Sequence, residues 1–203
     1  MSRARGVLVL LLLAGSGIAA TAWLQRFATP LIATQQKALQ SQKILSLLLP
    51  GSYDNQPLDQ PLALAEPQLA TSRLLAGYRA TRAARPSAIL LHSQVQGYGG
   101  PIQLLIAIGA NGKLLAIKPL AHNESPGLGA QIALTPNPWL ASFAGKSLGN
   151  PAEPAWALKK DNGQFDQLAG ATLTSRATVS AVHDALRYFD EHRAQLLGEG
   201  AHD

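Results

Sequence analysis

Cysteine is absent from the 203-residue chain, and with it go disulfide staples, thiol nucleophiles, Cys-ligated zinc and iron–sulfur ligation. Charge is sparse, at 14% of residues. The net charge of +5 comes from scattered Lys and Arg, not from a basic stripe interleaved with aromatics, so nucleic acid is not an expected partner. The five histidines, His92, His122, His183, His192 and His202, form no HxxxH pair or cluster, which disfavours a metal centre. His183 and Asp184 are neighbours on an expected helix, where adjacent side chains point apart. With no Gly-x-Ser-x-Gly elbow either, a Ser-His-Asp hydrolase is disfavoured. Internal repeats and low-complexity tracts are also missing.

What the chain does have is an uncharged N-terminal run, Gly6 to Leu24, GVLVLLLLAGSGIAATAWL. As a helix at about 1.5 Å per residue it nearly matches a hydrocarbon core of roughly 30 Å. Arg3, Arg5 and the amino terminus precede it, and after it Arg26 stands alone before Lys37. The positive-inside bias then keeps the N-terminus in the cytoplasm and puts the rest of the chain outside. A cleaved signal peptide is the rival reading, with Ala20-Thr21-Ala22 as its cleavage site. Both readings export the domain.

Leu31, Ala38, Leu45 and Leu49 recur at helical spacing from Ala28 until Pro50-Gly51 stops the pattern. This helix would pack on the domain's own core or lie on a membrane or partner. Ser52 to Pro67 is rich in turn formers and reads as a surface loop with a short strand. Strands are expected over Ser87–Gln96, Ile102–Ile108 and Leu114–Leu120. Asn111-Gly112 signals a type I′ hairpin turn between the last two. The near-continuous apolar run Ile102–Ile108 implies a strand covered on both faces, one of them by helix.

Trp139 and Phe143 fit a short helix after Pro136-Asn137-Pro138, Ala155 to Lys159 a further strand, and Asp161-Asn162-Gly163 its turn. Ser175 to about Leu197 reads as the final helix, with Val179, Val182, Leu186 and Phe189 on one stripe. The fold class is α+β: an N-terminal transmembrane helix followed by one domain of antiparallel sheet plus helices. The expected boundaries are 1–27 for the cytoplasmic tip and anchor, 28–66 for the amphipathic helix and connecting loop, and 67–203 for the domain.

Two Gly-bearing loops stand out. His122 to Gly129, HNESPGLG, follows a strand, and its glycines would let backbone approach something flat or bulky. Asp166 to Thr172, DQLAGAT, runs into the final helix. Thr172, Thr174 or Ser175 could simply cap that helix. Alternatively, a phosphate at Thr172 would sit at a helix N-terminus, where free N–H groups and the macrodipole favour an anion.

Taken together, LLLPGSYDN at Leu47–Asn55, GYGGPIQLLIAI at Gly97–Ile108, HNESPGLG at His122–Gly129 and FDQLAGATLTSRA at Phe165–Ala177 carry a resemblance. The chain resembles the G subunit of the Rnf-type ion-motive electron transport complex. More broadly, it is similar to the FMN-binding domain shared with the C subunit of the sodium-pumping NADH:quinone oxidoreductase. That resemblance implies covalent FMN, moved from FAD by a flavin transferase and joined by a phosphoester bond to Thr172. Asp166, Gly170 and Ala171 would belong to the recognition motif, in which Ala169 replaces the usual Ser/Thr. Glu124, Ser125, Leu128 and Gly129 would lie against the flavin, with Thr174 and Ser175 as phosphate neighbours.

The implied protein is a single-pass inner-membrane subunit with its domain on the periplasmic side. It would relay electrons among membrane and iron–sulfur subunits of an assembly that couples electron transfer to ion translocation, with no catalytic acid or base of its own. Two other assignments stay open: a non-redox envelope ligand-binding or assembly subunit, and the FMN subunit of a sodium-pumping NADH dehydrogenase.

Overall fold

The computed structural model describes residues 13–17, 21, 23, 26, 51–59 and 61–198. The chain divides into two compact units, Met1–Lys43 and Ile44–Asp203. In the first, the described residues are helical and exposed. Among the described residues no helix is long and apolar enough to cross a membrane. Most of the expected anchor, and the helix expected over 28–49, lie outside them.

The second unit is built on one antiparallel sheet whose spatial order is its chain order. Its strands are β1 (Pro61–Leu62), β2 (Ser72–Arg82), β3 (Arg85–Gln96), β4 (Pro101–Gly109) and β5 (Leu114–Ala121). Successive side chains of a strand point to opposite faces, and β4 uses both. Ile102, Leu104, Ile106 and Ile108 join one core, while Leu105 and Ala107 join a second, smaller one on the other face. The expectation of a strand covered on both faces holds.

The larger core is closed by helix α2 (Thr172–Glu191), which follows a one-turn helix α1 (Pro138–Ala141). Val179, Val182, Leu186 and Phe189 of α2 are each at most 1% exposed, as their spacing predicts. Burying side chains of this size contributes about 1.5–3 kcal/mol each. The final helix differs from expectation at both ends: it starts at Thr172, and it breaks at His192 before a short α3 (Arg193–Leu197). Asp184 of α2 is buried. Its Oδ2 accepts hydrogen bonds from Thr71 N (2.9 Å), Thr71 Oγ1 (2.8 Å) and Ser72 Oγ (2.8 Å), fastening the start of β2 to the helix.

Residues 53–58 cover part of the opposite face. Tyr53 and Leu58 pack on the smaller core, Asp54 N donates to Thr81 O at 2.8 Å, and Asn55 bonds to both Arg79 O and Thr81 N at 2.9 Å. The short strand expected between Ser52 and Pro67 is β1.

Two turns depart from their sequence signals. At Asn111-Gly112 the hairpin forms, but of the two residues Gly112 alone takes positive φ (80°). Gly112 N donates to Gly109 O, and Gly109 N to Lys113 O, a type I turn closed by a glycine bulge. Positive φ at two consecutive residues occurs instead between β2 and β3, at Ala83 (50°) and Ala84 (60°). The strand expected over Ala155–Lys159 is also replaced. Glu153–Ala155 and Lys159–Asp161 are single 3-10 turns, and pairing is reduced to one parallel bridge, Leu158 to Phe165. Pro151 and Pro154, just before this segment, have no N–H to give a ladder. The turn at Asp161-Asn162-Gly163 is present, with Asn162 left-handed at φ 64°.

Candidate functional site

The two Gly-bearing loops meet. A cleft of about 340 Å³ is lined by Tyr98, Glu124, Ser125, Leu128, Gly129 and the run Gly170 to Thr174. Its walls come from three places: the β3–β4 turn, the segment after β5, and the first turn of α2. Each junction is made by identifiable atoms. Glu124, 5% exposed, accepts at Oε1 from Gly99 N (3.0 Å) and at Oε2 from Thr174 Oγ1.

Two glycines are required here. A Cβ on Gly129 would stand 2.6 Å from Thr174 Oγ1, and Gly170, at φ 69°, would put one 2.7 Å from Leu128 Cδ2. Real Cβ contacts are not that close, so the backbone at these points faces directly onto the opposing wall.

The three hydroxyls at the helix start have separate work. Ser175, 0% exposed, donates to Ala171 O (2.8 Å) and accepts from Leu168 N (2.9 Å), locking the turn before the helix. Thr174 holds Glu124. Thr172 is the first helical residue, the N-cap is Ala171, and no side chain caps the helix. The capping explanation therefore fails for Thr172. Its half-buried side chain contributes to the cleft wall, and its Oγ1 donates to the exposed Gln167 Oε1 at 3.2 Å. The N-terminal end of a 20-residue helix supplies unpaired N–H groups and a positive dipole end beside that hydroxyl.

Asp166 lies outside the cleft lining. It pairs with Lys159 Nζ (2.8 Å) in an exposed bridge, while its carbonyl accepts from Trp139 Nε1 (2.7 Å). Behind it, Trp139, Phe143, Phe165, Trp156 and His183 form a continuous run of ring contacts with centroids 4.7–5.3 Å apart. This run seats the segment before the motif. Burial holds the His183 ring below the usual imidazole range, with Glu153 opposing the shift.

Tyr98 and Leu173 line the cleft and were not anticipated as site residues. Both are conspicuous in exposure, at 69% and 51%. An aromatic between glycines in a turn, and a leucine off the buried stripe of the helix, were the available signals. With Leu128, also 46% exposed, they give the cleft a rim of exposed apolar surface. The histidines take no part as a group: among the described residues no cluster could hold a metal ion. His92 instead bonds Gln103 (3.1 Å) on the sheet, and its pKa is lowered mainly by burial.

A roomier groove of about 600 Å³ lies between β5 and α1. Its walls are mostly aliphatic, and its Asn137 is engaged in capping α1 and bonding Gln131 O and Ile132 O. It offers no convergent polar set.

The glycine-lined cleft falls within the part of the chain, residues 97–187, that matches the FMN-binding domain family. Its lining fits such a cofactor: an exposed apolar rim of Tyr98, Leu128 and Leu173 for a flat ring, and a helix N-terminus for a phosphate. Over longer spans, the chain is 46% identical to the G subunit of the ion-translocating oxidoreductase complex of Pseudomonas aeruginosa, across 97% of this chain and 92% of that one. It is 40% identical to the G subunit of Cereibacter sphaeroides, over 75% of this chain and 69% of the relative. The G subunit of Vibrio cholerae is 38% identical, over 80% and 78%. The crystal structure of Shewanella oneidensis NqrC overlaps 59% of this chain and 61% of its own, at a TM-score of 0.45 and 19% identity. The chain belongs to the family of G subunits of ion-translocating oxidoreductase complexes.

Proposed function

We propose that this protein is an electron-transfer subunit of a membrane-bound complex that couples electron transfer to ion translocation, and that it carries FMN in phosphoester linkage to Thr172. One observation carries the reading: the Thr172 hydroxyl lies on the wall of a cleft at a helix N-terminus and is not used as a cap. The flavin supplies the redox chemistry. The chain's own part is to hold it. Thr172 is the tether, the first turn of α2 faces the phosphate, and the Glu124–Gly129 loop, with Leu128 laid against Gly170, faces the ring.

The exposed apolar rim, Tyr98, Leu128 and Leu173, suits close approach of a neighbouring redox subunit, since electron transfer needs short distances and no substrate enclosure. Membrane and iron–sulfur subunits are the partners proposed, with a flavin transferase acting during maturation. In this reading Gly6–Leu24 anchors the chain in the bacterial inner membrane as a single span, and the domain of residues 67–203, reached through 28–66, faces the periplasm. A covalent tether suits such a location, where a dissociated flavin would be lost.

The test is intact mass and peptide mapping of the chain produced with an active flavin transferase. We expect an FMN phosphoryl adduct on the peptide containing Thr172 and none in Thr172→Ala. An adduct that survives in Thr172→Ala, or its absence from the unaltered chain while a control substrate is modified, would overturn the assignment.

A further inference from the structure

The Glu124 carboxyl group is enclosed by the chain. It is 5% exposed, and its two oxygens accept from Gly99 N–H and the Thr174 hydroxyl, both neutral donors. Among the described residues no ion pair includes it. In a site screened from water its field acts at greater strength than it would in solvent. Glu124 and Thr172 line the same cleft. A group tethered at Thr172 and reduced there would acquire electrons facing a fixed negative charge.

We propose that Glu124 is a positioning residue that also sets the redox potential of the cofactor: its carboxylate joins the three walls of the cleft, and its charge opposes reduction of the flavin. The proposal rests on the reading that FMN is attached at Thr172. It assigns to one side chain two separable properties, a hydrogen-bonding shape and a charge. Glu124→Gln separates them. The amide oxygen can accept from Gly99 N–H, and the amide nitrogen can donate to a rotated Thr174 hydroxyl, so the linkage survives and the charge does not. Thr174→Val does the reverse, removing one donor and leaving the carboxylate.

The experiment is a spectroscopic redox titration of the full chain, flavinylated in cells, in unaltered, Glu124→Gln and Thr174→Val forms. Intact mass and the thermal midpoint of the unflavinylated chain are measured alongside. At a fixed ambient potential Glu124→Gln should raise the reduced-to-oxidised ratio of the flavin at least tenfold, which is about 30 mV for a two-electron couple. Its covalent mass and apo-protein melting should match those of the unaltered chain, and Thr174→Val should show no such rise. An unchanged ratio in Glu124→Gln overturns the proposal while leaving attachment at Thr172 intact. Loss of flavin or of folding in Glu124→Gln also overturns it, because the carboxylate's role would then be structural alone. Absence of covalent flavin from the unaltered chain overturns the attachment reading and this proposal with it.

Discussion

Deleting the hydroxyl of Thr172 and deleting that of Ser175 are similar edits three residues apart, and the geometry assigns them opposite outcomes. Ser175 is 0% exposed; its Oγ is the acceptor for Leu168 N–H and a donor to Ala171 O. In Ser175→Ala the Leu168 amide is left unpaired in a buried position, at about 1–3 kcal/mol, and a second bond worth about 1 kcal/mol disappears. Ala171 O keeps the Ser175 backbone N–H at 3.0 Å, so the loss should be near 2–3 kcal/mol in all. For a domain of this size that lowers the melting temperature by roughly 4–12 °C. Thr172 gives up one bond to an exposed Gln167 and gains helix propensity of up to about 0.5 kcal/mol as Ala. Its stability should change by less than about 1 kcal/mol. Calorimetric melting of both variants, paired with intact mass after expression with the transferase, reads both quantities. Thr172→Ala should melt like the unaltered protein and carry no flavin; Ser175→Ala should melt early. If Thr172→Ala proved the less stable of the two, the division of labour among these hydroxyls would be wrong.

Thr174→Ala should retain the covalent adduct, since its hydroxyl faces Glu124; an adduct lost there but kept in Thr172→Ala would move the attachment point. Asp184→Ala strands the donors of Thr71 and Ser72 and should cost about 3 kcal/mol, seen as a lower urea midpoint; no change would mean that solvent already satisfies them. Placing Asn-Gly at Ala83-Ala84 should raise stability by about 1 kcal/mol, because both alanines sit in the left-handed region, and a lowered midpoint would refute a strained turn. Burial lowers the pKa of His92 and His183, so the unfolded chain takes up protons first as pH falls below about 6.5. Their contribution is complete above that value and is lost as pH falls toward their folded-state pKa values. The midpoint should therefore drop as pH falls below about 6.5, less steeply in a His92→Gln, His183→Gln double variant, and equal slopes would refute the assignment.

Elements carrying their own periodicity were legible before the fold was known. The run Ile102–Ile108 announced a strand buried on two faces, and Val179, Val182, Leu186 and Phe189 announced the helix stripe. Strand β2 was not anticipated, because its turn into β3 is Ala-Ala, which has none of the Gly, Asn or Asp that normally mark positive φ. Turn type at Asn111-Gly112 was misread for a related reason: the residue pair permits a type I′ turn but does not compel it. Within the cleft, the motif residues were legible as a resemblance. The Glu124–Thr174 bond joins positions 50 residues apart, and nothing local to either residue announces the other.

The strictly sequential order of the five strands bears on how the domain comes into being. Each strand pairs with the one just before it, so the sheet can be assembled hairpin by hairpin as the chain emerges, with short loop closures throughout. Helix α2 comes after all of them, and the turn ahead of it cannot meet its opposing walls until residues 97–101 and 122–129 are in place. The feature that a maturation enzyme would read is therefore a late product of folding. On the reading that FMN is attached at Thr172, a chain halted before that stage would present the acceptor threonine on an unfinished surface.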